Sequence, residues 1–208
     1  MLRSRFLLSL LIALFLSTLA SADSVPVNMT FLHPGTHVSG GYYTDPYHFS
    51  INGGNATAMM WDAFNSRISP GENRNATVSG LLDGKGMFGK NLLDYKAAGI
   101  MFMGVIVGTI KATTGNGAVW NLFTKGVTQN SATLALDSEA LLLARHAPAS
   151  EFKGLVLCTP EGGSPGHGPR EFIGYRSSAM ATPEPGRLML LATGLMGIAG
   201  VARRKLRV

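Results

Sequence analysis

The sequence predicts an α+β domain: short β-strands at both ends of one domain, with helices inserted between them. Three observations lead there. From Val25 to Ser79 the chain is rich in Thr, Asn, Gly, Tyr and Ser, and β-favouring runs alternate with turn residues. From Asn91 to His146 apolar residues recur at helical spacing. At Leu155-Val156-Leu157-Cys158 and again at Glu171 to Tyr175 the composition returns to that of strands.

Taken in order, Tyr47-His48-Phe49-Ser50-Ile51 and Ala56 to Trp61 read as two strands, and Asn52-Gly53 between them is a hairpin signal because both residues tolerate positive φ. Asn91, with Asp94 three residues on, resembles a helix N-cap. Leu92, Tyr95, Ala98, Phe102 and Val105 then recur at helical spacing. A second short helix is expected over Ala118 to Phe123 and a third over Ser138 to Arg145. The apolar stretch Gly99 to Gly108 is too short to cross a bilayer and reads as the buried middle of the domain. A Gly/Pro-rich loop from Thr159 to Pro169 joins the last two strands.

The two ends are of a different kind. Arg3 and Arg5 precede an apolar stretch from Phe6 to Leu16, and Ala20-Ser21-Ala22 has the small-x-small form that signal peptidase cleaves, which places the mature start at Asp23. At the other end Pro183-Glu184-Pro185 is followed by an apolar run from Leu188 to Ala202 and then by the basic cluster Arg203, Arg204, Lys205 and Arg207. A helix over that run would reach roughly 22 Å, at about 1.5 Å per residue. This is short of the roughly 30 Å hydrocarbon core, so the flanking cations must snorkel or the bilayer must thin. The charge asymmetry puts the C-terminus in the cytoplasm and the body outside. The prolines hold 182–185 extended and open to a processing enzyme. The chain therefore divides into a signal peptide (1–22), an exported domain (23–176), a linker (177–182) and a C-terminal segment (183–208) with a membrane helix over 188–202.

That order of parts, with the small-residue pattern Gly194, Gly197 and Gly200, resembles the PEP-CTERM sorting signal of Gram-negative bacteria. The resemblance implies recognition and removal of the tail by a membrane enzyme, an exosortase, and association with exopolysaccharide. Implied partners are signal peptidase, exosortase, the inner membrane in passing, and envelope polysaccharide or matrix proteins. Within the body, Pro46 to Gly54, Met60-Trp61-Asp62-Ala63-Phe64 with Gly71-Glu72, Leu92 to Ala98 and Glu171 to Tyr175 resemble an uncharacterised group of PEP-CTERM proteins typical of acidobacteria. A looser similarity to surface thioester adhesin domains lies around Met60-Trp61-Asp62 and Ala118-Val119-Trp120. Those domains join a cysteine to a glutamine, and here Met60 or Trp61 stands where the cysteine is expected, so their covalent chemistry is not implied.

Charge follows the same division. The whole chain is +6, but the body from Asp23 to Thr182 holds 11 cations and 11 anions, so the basic excess belongs to the targeting segments. Nothing then points to nucleic acid. The single cysteine, Cys158, cannot close an intramolecular disulfide and reads as a small buried strand residue.

Apparent catalytic motifs fail on context. Gly84-Lys85-Gly86-Met87-Phe88-Gly89 matches the dinucleotide fingerprint, but no acid lies about 20 residues beyond it, and a glycine-rich turn is the plainer reading. Gly162-Gly163-Ser164-Pro165-Gly166 matches a nucleophile elbow, yet Pro165, Gly166, Gly168 and Pro169 forbid the required helix. His33 and His37 have the spacing of a metal pair but are separated by Pro34 and Gly35 and have no acid or cysteine nearby, so no metal ligand and no cofactor are assigned. The acids are scattered, with no paired carboxylates in the sequence. The expectation is a non-catalytic cell-surface or matrix protein, in which Tyr42, Tyr43 and Tyr47 offer a possible sugar-stacking face. An exported hydrolase of envelope polymers using Asp83, Asp94 or a histidine is the rival. An ice-binding or adhesin-like surface protein is a weaker one, since the threonines have no regular period.

Overall fold

The computed structural model describes residues 24–36, 38–39, 42–62, 68–124, 130–164, 168–177 and 180. Ala20 and Ala22 of the expected signal-peptidase site, Pro183-Glu184-Pro185 of the expected sorting motif, and the expected cytoplasmic cluster Arg203, Arg204, Lys205 and Arg207 lie outside them. Among the described residues no helix is long and apolar enough to cross a membrane.

The domain is α+β, and its strands close. Six of them, β1 (Val25–His33), β4 (Tyr47–Ile51), β5 (Ala56–Trp61), β6 (Asn73–Gly80), β7 (Leu155–Pro160) and β8 (Phe172–Tyr175), form an antiparallel barrel in the order β1-β4-β5-β8-β7-β6. Two-residue strands β2 (Val38–Ser39) and β3 (Tyr42–Tyr43) make a separate ribbon between β1 and β4. Closure pairs every strand of the barrel on both sides, so the barrel itself has no open edge. Between β6 and β7 the chain makes three helices: α1 (Leu92–Ile106), α2 (Ala112–Phe123) and α3 (Ser131–His146).

Side-chain alternation explains both faces of the barrel. Val27, Met29 and Phe31 of β1, and Tyr47, Phe49 and Ile51 of β4, point inward and are buried, while Asn28, Leu32 and Ser50 lie on the opposite face. The Thr/Asn-rich composition of the first half is therefore the outer surface of a barrel. Inside it, Phe172 meets Phe49 edge-on at 4.6 Å, and Tyr47 stacks on Trp61 at 4.7 Å. Tyr47 is thus a core residue, 3% exposed, and does not belong to a sugar-stacking face. Tyr43 is 43% exposed.

On β5, β7 and β8 both faces are buried. Met59, Trp61, Val156, Cys158 and Phe172 fill the barrel, and Met60, Leu155, Leu157 and Ile173 pack outward with Tyr95, Ala98, Met101, Phe102 and Val119 of the helices. The near-continuous apolar run of β7 follows from that double burial. Trp120 of α2 joins the barrel's own cluster. Cys158 is fully buried, as the sequence suggests; burial, then the charge of Glu171, push its thiol up to about 12.

The Asn52-Gly53 hairpin forms as expected, with φ of 50° and 72°, the pair of positive values that a two-residue turn of this hand requires. Asn91 does precede α1, but its side chain donates to the Asp94 carboxylate and caps no backbone N–H. The second and third helices begin earlier than the sequence suggests, at Ala112 and Ser131 in place of Ala118 and Ser138. Gly115 and Gly117 depress helix propensity, yet Gly115 is needed, because a Cβ there would lie 2.5 Å from Val105, and Gly117 eases a close approach, where a Cβ would lie 3.2 Å from Thr133.

The start of α3 is fixed by a reciprocal cap. Asn130 Oδ1 accepts from Thr133 N at 2.9 Å, and Asn130 N donates to Thr133 Oγ1 at 3.2 Å. Asn130→Ala is expected to lower folding stability by about 1 kcal/mol, read as a shifted urea midpoint with unchanged slope.

Candidate functional site

Strand register builds a row of polar side chains where the helices meet the barrel. Trp61 pairs with Phe172 and Cys158 with Phe172, so the next step along the three strands brings Asp62, Glu171 and Thr159 side by side. Alternation turns this row toward the helices, beyond the apolar row Met60, Ile173 and Leu157. Asp62 and Glu171 have no exposed surface.

Glu171 gathers the donors. Its Oε1 accepts from the Tyr95 hydroxyl at 2.6 Å, and its Oε2 accepts from Met87 N at 2.8 Å and from the Thr159 hydroxyl. The Tyr95 oxygen in turn accepts from Phe88 N at 3.0 Å. One carboxyl group therefore ties the barrel to α1 and to the loop before it. Burial, then the charge of Glu171, raise the Tyr95 phenol far above its ordinary value, so it stays a donor.

The glycine-rich turn belongs to this arrangement. A Cβ on Gly86 would lie 2.3 Å from the Tyr95 hydroxyl and 2.6 Å from Leu157 Cδ1, so only glycine lets the backbone come close enough to present Met87 N. The stretch that mimics a dinucleotide fingerprint serves an internal carboxylate.

Asp62 is the counterpart without donors. Neither carboxyl oxygen has a hydrogen-bond partner among the described residues as placed, although Glu171 is near enough for a protonated Asp62 to donate after a small adjustment. Burial and then the Glu171 charge hold the Asp62 pKa well above the ordinary carboxylate range, and the Arg170 guanidinium offsets only part of this. Arg170 is itself 3% exposed, and its Nε has no partner among the described residues. Asp62 is thus the carboxyl that favours its protonated form here.

The remaining candidates lie apart from this row. Asp83 accepts from Gly80 N at 2.7 Å and closes the turn after β6. Asp94 stays with Asn91. Asp137 of α3 accepts from Asn121 Nδ2 at 3.2 Å; its pKa rises to about 6, through burial first and then the charge of Asp94. His37 lies outside the described residues, whereas His33 stacks on His48 at 4.5 Å. Burial, then the neighbouring His33, lower the His48 pKa. Gly163 N donates to Pro160 O at 3.3 Å in a turn after β7, and Pro165 and Gly166 of the elbow-like segment lie outside the described residues.

The sequence suggests no paired carboxylates, and here the structure differs: Asp62 and Glu171 form a pair although 108 positions separate them in the chain. Each is an acid at the end of an apolar strand run, Met59-Met60-Trp61-Asp62 and Glu171-Phe172-Ile173. That is the one signal in the sequence that could have marked them. Among the described residues no group of three or more His, Cys, Asp or Glu side chains is placed to hold a metal ion. Met60, Ala118 and Val119 share the helix-side core, and Trp61 and Trp120 the barrel core. Neither protein-family models, curated proteins nor solved structures give a match to this chain.

Proposed function

We propose that the protein is an exported cargo, sorted through its C-terminal segment and released by an exosortase, whose body works as a non-catalytic component of the cell surface or the exopolysaccharide matrix. The observation that carries this reading is the pairing of two end signals. Arg3, Arg5 and Ala20-x-Ala22 stand at one end, and Pro183-Glu184-Pro185, the apolar run and the cations after it at the other. The closed barrel supports it, because a secreted domain with one cysteine must hold together through its core, and full strand pairing with a double-faced apolar layer supplies such a core.

A hydrolase of envelope polymers is the second reading, favoured by the convergence of Asp62 and Glu171. A catalytic acid must touch its substrate. Both carboxyls are fully buried, and Tyr95, Met87 and Thr159 already occupy Glu171, which makes the pair a clamp in the proposed reading.

The test is the intact mass of the protein purified from its own cells, with and without the sorting enzyme. The expected mature form begins at Asp23 and ends near Pro183 or Pro185, with any further mass reporting an attached glycan or lipid. A tail left uncleaved in cells that contain the enzyme overturns the proposal.

A further inference from the structure

A β-bulge gives this barrel a pair of imidazoles on its outer face. Phe31 pairs with Phe49, but the next pair is His33 with His48, so β1 advances two residues while β4 advances one and Leu32 is the extra residue. Without the bulge, strict alternation after the inward Val27, Met29 and Phe31 would send His33 into the barrel. With it, His33 lies beside His48, which already points outward between the buried Tyr47 and Phe49. Bulges re-aim single side chains in this way, often next to functional sites.

The rings stack at 4.5 Å with 22° between their planes, and His33 is exposed. His33 Nδ1 lies 3.1 Å from Pro34 O. A carbonyl can only accept, so Nδ1 carries the proton and Nε2 presents its lone pair. An imidazole oriented by donating its other N–H to a backbone carbonyl is the arrangement that metal-bound histidines use. We propose that His33 and His48 form a two-imidazole surface site for a borderline divalent transition metal such as Cu²⁺, Zn²⁺ or Ni²⁺, with water completing the coordination. With their ring centroids 4.5 Å apart, both imidazoles stand within reach of one ion. The sequence spacing suggests His37 as the partner of His33; the bulge supplies His48 in its place.

Cu²⁺ is the most discriminating probe, because it binds nitrogen donors more tightly than the other ions of its row. The full chain in detergent is titrated with Cu²⁺ and followed by electron paramagnetic resonance, alongside His33→Gln, His48→Gln and His37→Gln, with far-UV circular dichroism confirming that each variant is folded. The expected result is one tight ion per chain with splitting from two imidazole nitrogens, and a loss of about tenfold or more in affinity in both His33→Gln and His48→Gln, on the scale seen for disrupted metal shells. His37→Gln should bind like the parent. Binding that survives either of the first two substitutions, binding abolished by His37→Gln alone, or no tight ion in the folded parent would overturn the site and leave the histidines as a stacked cross-strand pair.

Discussion

Glu171→Ala is expected to lower folding stability by about 3–5 kcal/mol, the range found when one partner of a buried charged network is removed. The loss comes less from the bonds broken than from the groups stranded. Tyr95 Oη, Met87 N and Thr159 Oγ1 all point at this carboxyl, and truncation leaves one buried and two half-buried donors without their acceptor. Glu171→Gln should fall between the parent and Glu171→Ala. An amide accepts on one side only, so either Met87 N–H or the Tyr95 hydroxyl faces an N–H₂ group, while the Thr159 hydroxyl can rotate to accept. Chemical denaturation measures both variants. A double-mutant cycle with Tyr95→Phe should show coupling of about 0.5–3 kcal/mol, the range for residues that share a network. Additive losses would mean that Tyr95 and Glu171 merely lie close together.

The same residues show what the chain discloses before it is folded. Local patterns carried the hairpin at Asn52-Gly53, the face of α1 at Tyr95, Ala98 and Phe102, and the buried strand around Cys158, because each depends on neighbours within one or two turns of chain. The α+β class and the insertion of helices between strands were legible for the same reason. Barrel closure was not: it rests on β8 pairing with β5 and β7 at once, a register set by burial on two faces and by distant partners. The Asp62 and Glu171 pair inherits that register and was invisible with it. Gly86 was conspicuous, but the reason for it lies in Tyr95 and Leu157, which come from elsewhere in the fold. The early start of α2 was hidden because Gly115 and Gly117 are poor helix formers alone, and the packing of α2 against Val105 that requires Gly115 is not visible locally.

Asp62 makes the fold sensitive to pH in a direction opposite to that of a salt-bridged acid. Its folded pKa is raised by burial and by Glu171, so between the unfolded value near 3.8 and the raised folded value the native state keeps a proton that the unfolded state has lost. Its stabilising contribution is fully present below 3.8 and is lost as pH rises through the folded pKa, at up to about 1.4 kcal/mol per pH unit. Asp137 acts with the same sign from 3.8 to about 6, and the lowered pKa of His48 acts with the opposite sign below the ordinary histidine value. Comparing the parent with Asp62→Asn cancels both, because neither group is altered. The amide variant is therefore expected to match the parent near pH 3.5 and to become progressively more stable than it as pH rises toward neutrality, in urea unfolding at matched ionic strength. Asp137→Asn should show a smaller version of the same divergence that stops growing near pH 6. A stability difference between parent and Asp62→Asn that stays constant from pH 4 to 8 would mean that Asp62 titrates alike in both states, and the raised pKa of the buried Asp62 would have to be given up. If the divergence is found, its size follows from the position of Asp62: the acid sits where the barrel meets the helices, so deprotonating it loads charge onto the same seam that Glu171 holds shut.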